Sequence, residues 1–541
     1  MDNSHQNSDN FVKLNLPTIS EQPDYLFNFN ELRFSGELNC AVELIDKNIL
    51  LGRSEKKAII SPENEWTYKK LYQTSNQIAH FLKDNFGVKK GNRVLLRSSN
   101  TPMAVACWLA IIKVGGIVVS TMPMLRAPEL KTIIDKAEIN FILCDERLKG
   151  EVAKTNFIQT NSICFFDAIT KVPLKGDLQT LAQSKPVKFS NVITMHDDPA
   201  LIAFTSGTTG APKGTVHFHR DVMAMCICAG EGLLKLTEND LFVGSPPMAF
   251  TFGLGMLVAF PLHVGGTTIL LEKTSAVDLM AAIEKYKATI CATAPTAYKK
   301  MLKDYDHYDL SSLKKAVSSG EHLPIYIFDE WHKKNGGKLI NAFGSTEMTH
   351  MFISAIDESI RPGAIGKAID GYEVCILDLN DLPIGKNEIG RLAVRGPTGC
   401  KYLDDVRQKD YVVNGWNITG DLCSMDQDGY VYFTSRCDDM IISSGYNISG
   451  PEVEDALYTN QKISECAVIG VPNEERGFVV KAYIVLKDGN IPSEALVIEF
   501  QNYIKKIIAP YKYPRKIEFV EALPKTQTGK IQRNKLKELS H

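Results

Sequence analysis

Short apolar runs alternate with stretches of helical period along the middle of this 541-residue chain, and that alternation limits the fold more than any other feature. Residues 201–205, 241–245, 267–271 and 289–294 read as strands. Between them, 220–236 places Val222, Met225, Ala229 and Leu233 on one helix face, and 253–263 and 277–286 read as helices. Strands joined through helices pair in parallel and are covered on both faces. The pattern therefore predicts an α/β unit with largely parallel sheets. Beyond Asp438 the texture changes: 451–458 and 494–508 are helical, and 466–471, 480–486 and 516–520 strand-like. These make a compact α+β unit of about 100 residues. The expected organisation is a large N-terminal domain, 1–437, and a small C-terminal one, 438–541; the length exceeds what one core organises. Residues 104–119 are apolar enough to suggest a membrane span, but Lys113 and Gly115-Gly116 interrupt them. A buried helix running into a strand is expected there.

The strand read at 201–205 runs into Thr205-Ser206-Gly207-Thr208-Thr209-Gly210-Ala211-Pro212-Lys213-Gly214. Glycines let backbone N–H groups surround an anion, the hydroxyls add donors and Lys213 supplies charge, so the segment reads as a phosphate cradle. It is not a Walker A loop: the seven residues from Gly207 to Lys213 do not give Gly-x4-Gly-Lys-[Ser/Thr], and Gly214 stands where that motif has a hydroxyl.

Four further segments follow in order: Asn341-Ala342-Phe343-Gly344-Ser345-Thr346-Glu347, Thr419-Gly420-Asp421, Arg436-Cys437-Asp438-Asp439-Met440-Ile441, and Pro524-Lys525-Thr526-Gln527-Thr528-Gly529-Lys530-Ile531-Gln532-Arg533. Together with the loop they resemble the signature of the acyl-adenylate-forming superfamily, which includes acyl-CoA synthetases, nonribosomal adenylation domains and beetle luciferases. The resemblance runs from about Trp66 onward. It implies that ATP and a carboxylate give acyl-AMP and pyrophosphate, after which the thiol of CoA displaces AMP. Both partners of the first step are anionic, so charge neutralisation and positioning must dominate the catalysis.

The resemblance also assigns residues. Thr205, Ser206, Gly207, Thr208, Thr209, Gly210 and Lys213 would grip phosphates; Gly320, Glu321, Ala342, Phe343, Gly344 and Ser345 would complete the nucleotide site. Phe343 stands where the family usually has tyrosine and keeps the stacking face for adenine. Thr346 would touch the α-phosphate, Glu347 would hold Mg²⁺, Asp421 the ribose hydroxyls, and Arg436 is a second nucleotide contact. Ser435 replaces the usual glycine before it. Lys530 would bridge carboxylate and phosphate oxygens during adenylation. Asp438 matches the aspartate about which the family's C-terminal domain swings, bringing a strand read at 441–446, with Ser444, Gly445 and Tyr446, toward the acyl site for CoA.

Within the superfamily the chain is most similar to the benzoate and 2-aminobenzoate CoA ligases, through Pro246-Pro247-Met248-Ala249-Phe250-Thr251-Phe252-Gly253-Leu254-Gly255, Phe218-His219-Arg220-Asp221, Gly344 to Met348, Gly396-Pro397-Thr398-Gly399-Cys400 and Ala509 to Pro514. Phe250, Thr251, Phe252, Gly344, Met348 and His350 form the expected acid pocket. Two phenylalanines opposite small Ala342 and Gly344 suit a flat ring better than an alkyl tail; Thr251 and His350 are candidates to read a 2-amino group. A medium-chain acyl-CoA synthetase, luciferase-type oxidation, carrier loading and a non-catalytic nucleotide-binding scaffold remain alternatives. The expected partners are thus a small carboxylic acid, ATP and CoA. A net charge of −2 gives no reason to expect nucleic acid or an anionic membrane. The 12 cysteines lack any CxxC and the polar Met1–Asn10 lacks a signal pattern, so a cytoplasmic protein, monomer or homodimer, is expected. His217 and His219 have no third ligand at metal-binding spacing.

Overall fold

The structure, a computed structural model, describes residues 8–34, 36–157, 162–168, 177–205, 212–443, 446–473, 476–526 and 530–540, with the backbone alone at Asp438 and Asn447. Among these residues four β-sheets carry the fold. The largest runs Lys367–Ala368, Met351–Ser354, Leu339–Gly344, Lys315–Ser319, Ile290–Thr293, Leu241–Gly244, Thr267–Ile269, Lys57–Ile60, Glu65–Thr67. Its interior strands, from Leu339–Gly344 to Lys57–Ile60, are parallel and its edges antiparallel. A second sheet runs Ile163–Phe166, Phe141–Asp145, Arg93–Arg97, Ile117–Thr121, Pro199–Thr205, Lys213–Phe218, and only its last pair is antiparallel. Helices cover these sheets as the alternation requires. Ala276–Tyr286, for example, starts at a capping box in which Ser275 Oγ accepts from the Asp278 N–H and Asp278 accepts from the Ser275 N–H.

The expectation of largely parallel sheets falls short after Ala368. Strands Glu373–Leu377, Gly390–Arg395, Trp416–Met425, Val412–Val413 and Val431–Arg436 form a wholly antiparallel sheet. Its two-residue hairpin turns at Asn414-Gly415, both at positive φ (50° and 78°), as such a turn requires. The C-terminal unit packs helices Gly450–Tyr458 and Glu494–Ile507 on a sheet of Tyr446–Ile448, Ile441–Ser443, Gly477–Leu486, Ile463–Asn473 and Lys516–Phe519, around its own core of Val453, Leu457, Val480, Phe500 and Ile504. The strand read at 441–446 is in fact a hairpin, with Ser443 opposite Tyr446.

The apolar stretch at 104–119 folds as helix Pro102–Lys113 followed by strand Ile117–Thr121. Lys113 is buried completely because it has partners: its ammonium pairs with Asp46 and donates to Asn76 Oδ1 at 2.8 Å. Among the described residues no helix is long and apolar enough to cross a membrane. The helix read at 253–263 divides into Thr251–Leu254, a π-helical turn Gly255–Ala259, and Phe260–Val264. That extra residue per turn sets Gly255 directly against the ring of His350.

Candidate active site

The carboxyl ends of the parallel strands share one side of the molecule. Thr205, Ser245, Thr293, Ser319 and Phe343 all stand at or just beyond a strand end and line a single cleft of about 1580 Å³. Crevices at strand carboxyl ends are where open α/β sheets bind ligands. This volume exceeds the roughly 300–1,000 Å³ of a pocket for one small molecule, so the cleft has room for a nucleotide and a second ligand. Asp421 and Arg436 of the antiparallel sheet and Lys530 of the C-terminal unit close it.

Thr205, Lys213, Gly320, Glu321, Ala342, Phe343, Gly344, Ser345, Thr346, Glu347, Asp421 and Arg436 all line this cleft. Ser206, Gly207, Thr208, Thr209 and Gly210 lie outside the described residues. Phe343 stands edge-on to Phe352 at 5.7 Å and keeps one side toward the cleft. Asp421 and Arg436 face each other across a strand pair, and Arg436 Nη1 donates to Asp421 Oδ1 at 2.9 Å and to the Thr419 carbonyl at 2.9 Å. Gly420, at φ +76°, makes this possible, since a Cβ there would lie 2.9 Å from the guanidinium. Ser435 occupies ordinary extended backbone opposite Leu422, a place that requires no glycine.

The turn between Leu339–Gly344 and Met351–Ser354 presents Thr346 and Glu347. It holds Thr349 at φ +69°, an unfavourable conformation for a β-branched residue, secured by contact of Thr349 Oγ1 with His217 Nδ1 at 3.0 Å. His219 points elsewhere and accepts from the Cys40 N–H. Glu347 Oε1 accepts from the Tyr402 hydroxyl at 2.6 Å. Among the described residues no three His, Cys, Asp or Glu side chains cluster as metal ligands. A single carboxylate fits Mg²⁺, which takes most of its six oxygen ligands from nucleotide phosphates and water.

Lys530 is tied to Thr526, whose N–H donates to the Lys530 carbonyl at 2.6 Å and whose Oγ1 accepts from the Lys530 N–H at 3.1 Å. Its side chain reaches the floor of the cleft, where a Cβ on Gly320 would lie 3.6 Å from Lys530 Cε. Water still reaches the ammonium, but protein surrounds it on most sides. That desolvation pushes its pKa below the ordinary lysine value, opposed by Glu321, Asp421 and Glu347. Burial likewise pushes the Glu321 carboxyl up, with Lys530 opposing. Contacts across the seam hold this arrangement: His322 Nε2 lies 3.1 Å from Asp455 Oδ2, and Tyr326 packs on Tyr458 with ring centres 5.2 Å apart.

Deeper in the cleft, Phe250, Thr251, Phe252 and His350 line one lobe with Ala342, Gly344 and Met351. Met348 departs from expectation: it is wholly buried outside the cleft wall, its N–H donating to Ser345 Oγ and its carbonyl accepting from Thr398. The turn reverses between them, so Met351 supplies the methionine. His350 is 3% exposed, packed on Phe260 and Phe252 with ring centres 4.7 and 5.6 Å away, and neither ring nitrogen makes a well-formed hydrogen bond, the Phe252 backbone supplying at most a weak one. Burial pushes its pKa down to about 4, so the ring is neutral near pH 7 and offers one donor and one acceptor.

Tyr446 lies away from the cleft, 54% exposed and stacked on Tyr511 at 4.5 Å. Ser444 and Gly445 lie outside the described residues, as does the side chain of Asp438, whose backbone forms a short turn, Cys437–Asp439. The sequence reading missed Tyr402 and Tyr411, whose rings lie 4.6 and 6.0 Å from Lys213 Nζ. No spacing rule marks them; the quoted segment ending at Cys400 stops two residues short.

Residues 50–401 match the AMP-binding enzyme family and residues 452–530 the AMP-binding enzyme C-terminal domain. The benzoate–CoA ligase of Thauera aromatica is 31% identical over 516 residues, covering 92% of this chain and 95% of that protein. A long-chain-fatty-acid–CoA ligase of Bacillus subtilis (strain 168) is 32% identical over 530 residues, covering 90% and 92%. The crystal structure of the anthranilate CoA ligase AuaEII in complex with anthranoyl-AMP superposes with a TM-score of 0.88 at 32% identity, covering 95% of this chain and 99% of that one. Enzymes named for an aromatic acid and for a fatty acid thus stand at equal distance, and kinship does not select the acid. It does establish the class of reaction: this chain belongs to the AMP-binding enzyme family and is an AMP-forming acyl-CoA ligase.

Proposed function

We propose that the acid is aromatic and carries a hydrogen-bonding ring substituent, with 2-aminobenzoate preferred over benzoate. The observation that carries this is His350: a neutral imidazole at the cleft wall, buried beside Phe252 and Phe260, whose ring nitrogens make no well-formed hydrogen bond within the protein. A buried polar group left unpaired costs about 1–3 kcal/mol, which an amino group on the ring would relieve and an alkyl tail would not. The flat lobe of Phe250 and Phe252 opposite Gly344 and Ala342, and the likeness to a ligase solved with anthranoyl-AMP, support the same reading.

Around that acid, Phe343 stacks on adenine, Asp421 and Arg436 hold the ribose side, Thr205 and Lys213 neutralise phosphate, and Thr346 contacts the α-phosphate. Glu347 holds Mg²⁺, which supplies charge neutralisation for the pyrophosphate leaving group when bound. Lys530 serves the first half-reaction, a reading supported by its approach to Gly320 and Glu321 in the cleft. We assign domains 1–437 and 438–541, with the hinge at Asp438 moving Tyr446 and its neighbours toward the acid for CoA. The twelve cysteines, none in a disulfide, support a reducing, cytoplasmic setting.

The test is CoA-dependent AMP release with benzoate, 2-aminobenzoate, phenylacetate, hexanoate and octanoate, each thioester confirmed by mass. Turnover confined to ring acids and fastest with 2-aminobenzoate is expected; preference for the alkyl acids would sink the aromatic reading while leaving the ligase chemistry in place. For the hinge, Asp438→Pro should retain acyl-AMP formation and slow thioester formation by at least tenfold, measured as separate half-reactions. Unimpaired thioester formation would remove Asp438 from the hinge role.

A further inference from the structure

We propose that Tyr402 is a positioning residue for adenylation, one side chain that fixes both the Glu347 carboxylate and the Lys213 ammonium in the cleft. It is 1% exposed, its hydroxyl donates to Glu347 Oε1 at 2.6 Å, and its ring centre lies 4.6 Å from Lys213 Nζ. The short bond is that of a hydroxyl on a charged carboxylate, and the ring face is an electrostatic seat for the ammonium. Glu347 and Lys213 come from different elements, the 344–350 turn and the strand Lys213–Phe218. Tyr402 is the common surface that sets their separation, which is the separation of the cation site from the phosphate grip.

Its own pose is secured independently of any ligand. Val216 N–H donates to the Lys401 carbonyl and Leu403 N–H to the Gly214 carbonyl, both at 2.8 Å, so residues 401–403 are zipped to the strand that carries Lys213. Tyr402 N–H donates to Gln408 Oε1 at 2.9 Å. The preceding residue is a buried anchor: Lys401 donates to Asp221 Oδ2 at 3.0 Å, to the Gly399 carbonyl at 3.1 Å and to the Tyr25 hydroxyl at 3.2 Å. Although burial pushes the Asp221 carboxyl up, Lys401, His217 and Arg220 hold it below the usual carboxylate range. A charged pair so fixed leaves the next side chain little freedom.

The proposal rests on the adenylation reading of Glu347 and Lys213, and the experiment separates the two. ATP affinity is measured by calorimetry with Mg²⁺ and with EDTA for the wild type, Tyr402→Phe and Tyr402→Leu, alongside both half-reactions and thermal melting. Tyr402→Phe keeps the ring and should reduce the Mg²⁺ enhancement of ATP affinity, and the adenylation rate, by about tenfold while leaving affinity in EDTA and acyl transfer from supplied acyl-AMP to CoA near wild type. Tyr402→Leu should in addition weaken ATP binding in EDTA, because Lys213 loses its seat. A normal wild type beside a Tyr402→Phe variant with full Mg²⁺ enhancement, or with equal loss in both half-reactions, overturns the proposal alone. A wild type whose ATP binding ignores Mg²⁺ overturns the reading of Glu347 and the proposal with it.

Discussion

Lys530→Ala is expected to lower acyl-AMP formation by two to three decades while acyl transfer from supplied acyl-AMP to CoA continues near the wild-type rate. The first step brings a carboxylate onto a phosphate, and the negative charge that builds between them needs a preorganised cation. Loss of one such donor typically costs about 3–4 kcal/mol. Lys530 is the group proposed for it: it enters from the C-terminal unit, reaches the cleft beside Gly320, and feels the charges of Glu321, Asp421 and Glu347. Pyrophosphate release reports the first step and thioester formation the second, in separate assays. Equal loss in both would mean that Lys530 supports the cleft generally and has no step of its own.

The second large effect is expected at His350. A site that commits a buried hydrogen-bonding group to its substrate rejects the analogue lacking the partner by about 10⁴-fold, whereas a pocket reading size alone manages about 10–200-fold. His350→Leu should therefore collapse the 2-aminobenzoate to benzoate ratio of kcat/KM to the tens or lower, mainly by slowing 2-aminobenzoate, with benzoate activity largely retained. The ring is held by Phe260 and by Gly255, where a Cβ would come within 2.4 Å of its Cδ2–Nε2 edge. A pKa of about 4 also means that wild-type discrimination should stay flat between about pH 6 and 9, since the imidazole is neutral throughout. An unchanged ratio in His350→Leu, or a ratio that follows an ordinary histidine titration, would move the reading of the amino group elsewhere.

Much of the cleft was legible in one dimension because its chemistry is concentrated at strand ends. A strand that stops at Thr205 or Gly344 must be followed by a loop, and glycines, hydroxyls and a charged residue in such a loop announce an anion site before any fold is known. Asp421 and Arg436 were found separately by their segments. That they are cross-strand partners followed only from the register of Trp416–Met425 on Val431–Arg436. Met348 misled because adjacent residues in a tight turn point in opposite directions, and the reversal at Thr349 put Met351 in the lobe and Met348 in the core. The antiparallel sheet after Ala368 was missed because its strands are separated by loops rather than by helical periods, although Asn414-Gly415 was a hairpin signal in plain view.

The ordered motifs, through the family they resemble, indicated the reaction class, and the βα alternation indicated the fold class, because both depend on residue type and local period. Tertiary structure decided what depends on approach between distant segments: that Lys530 stands beside Glu321 some two hundred positions earlier, that His350 is buried without a well-formed hydrogen bond, and that Tyr402 joins Lys213 to Glu347. Local pattern is set by backbone geometry over a few residues, whereas desolvation and hydrogen-bond pairing are set by whatever the fold brings within 3 Å. For this chain the choice of acid lies in the second category.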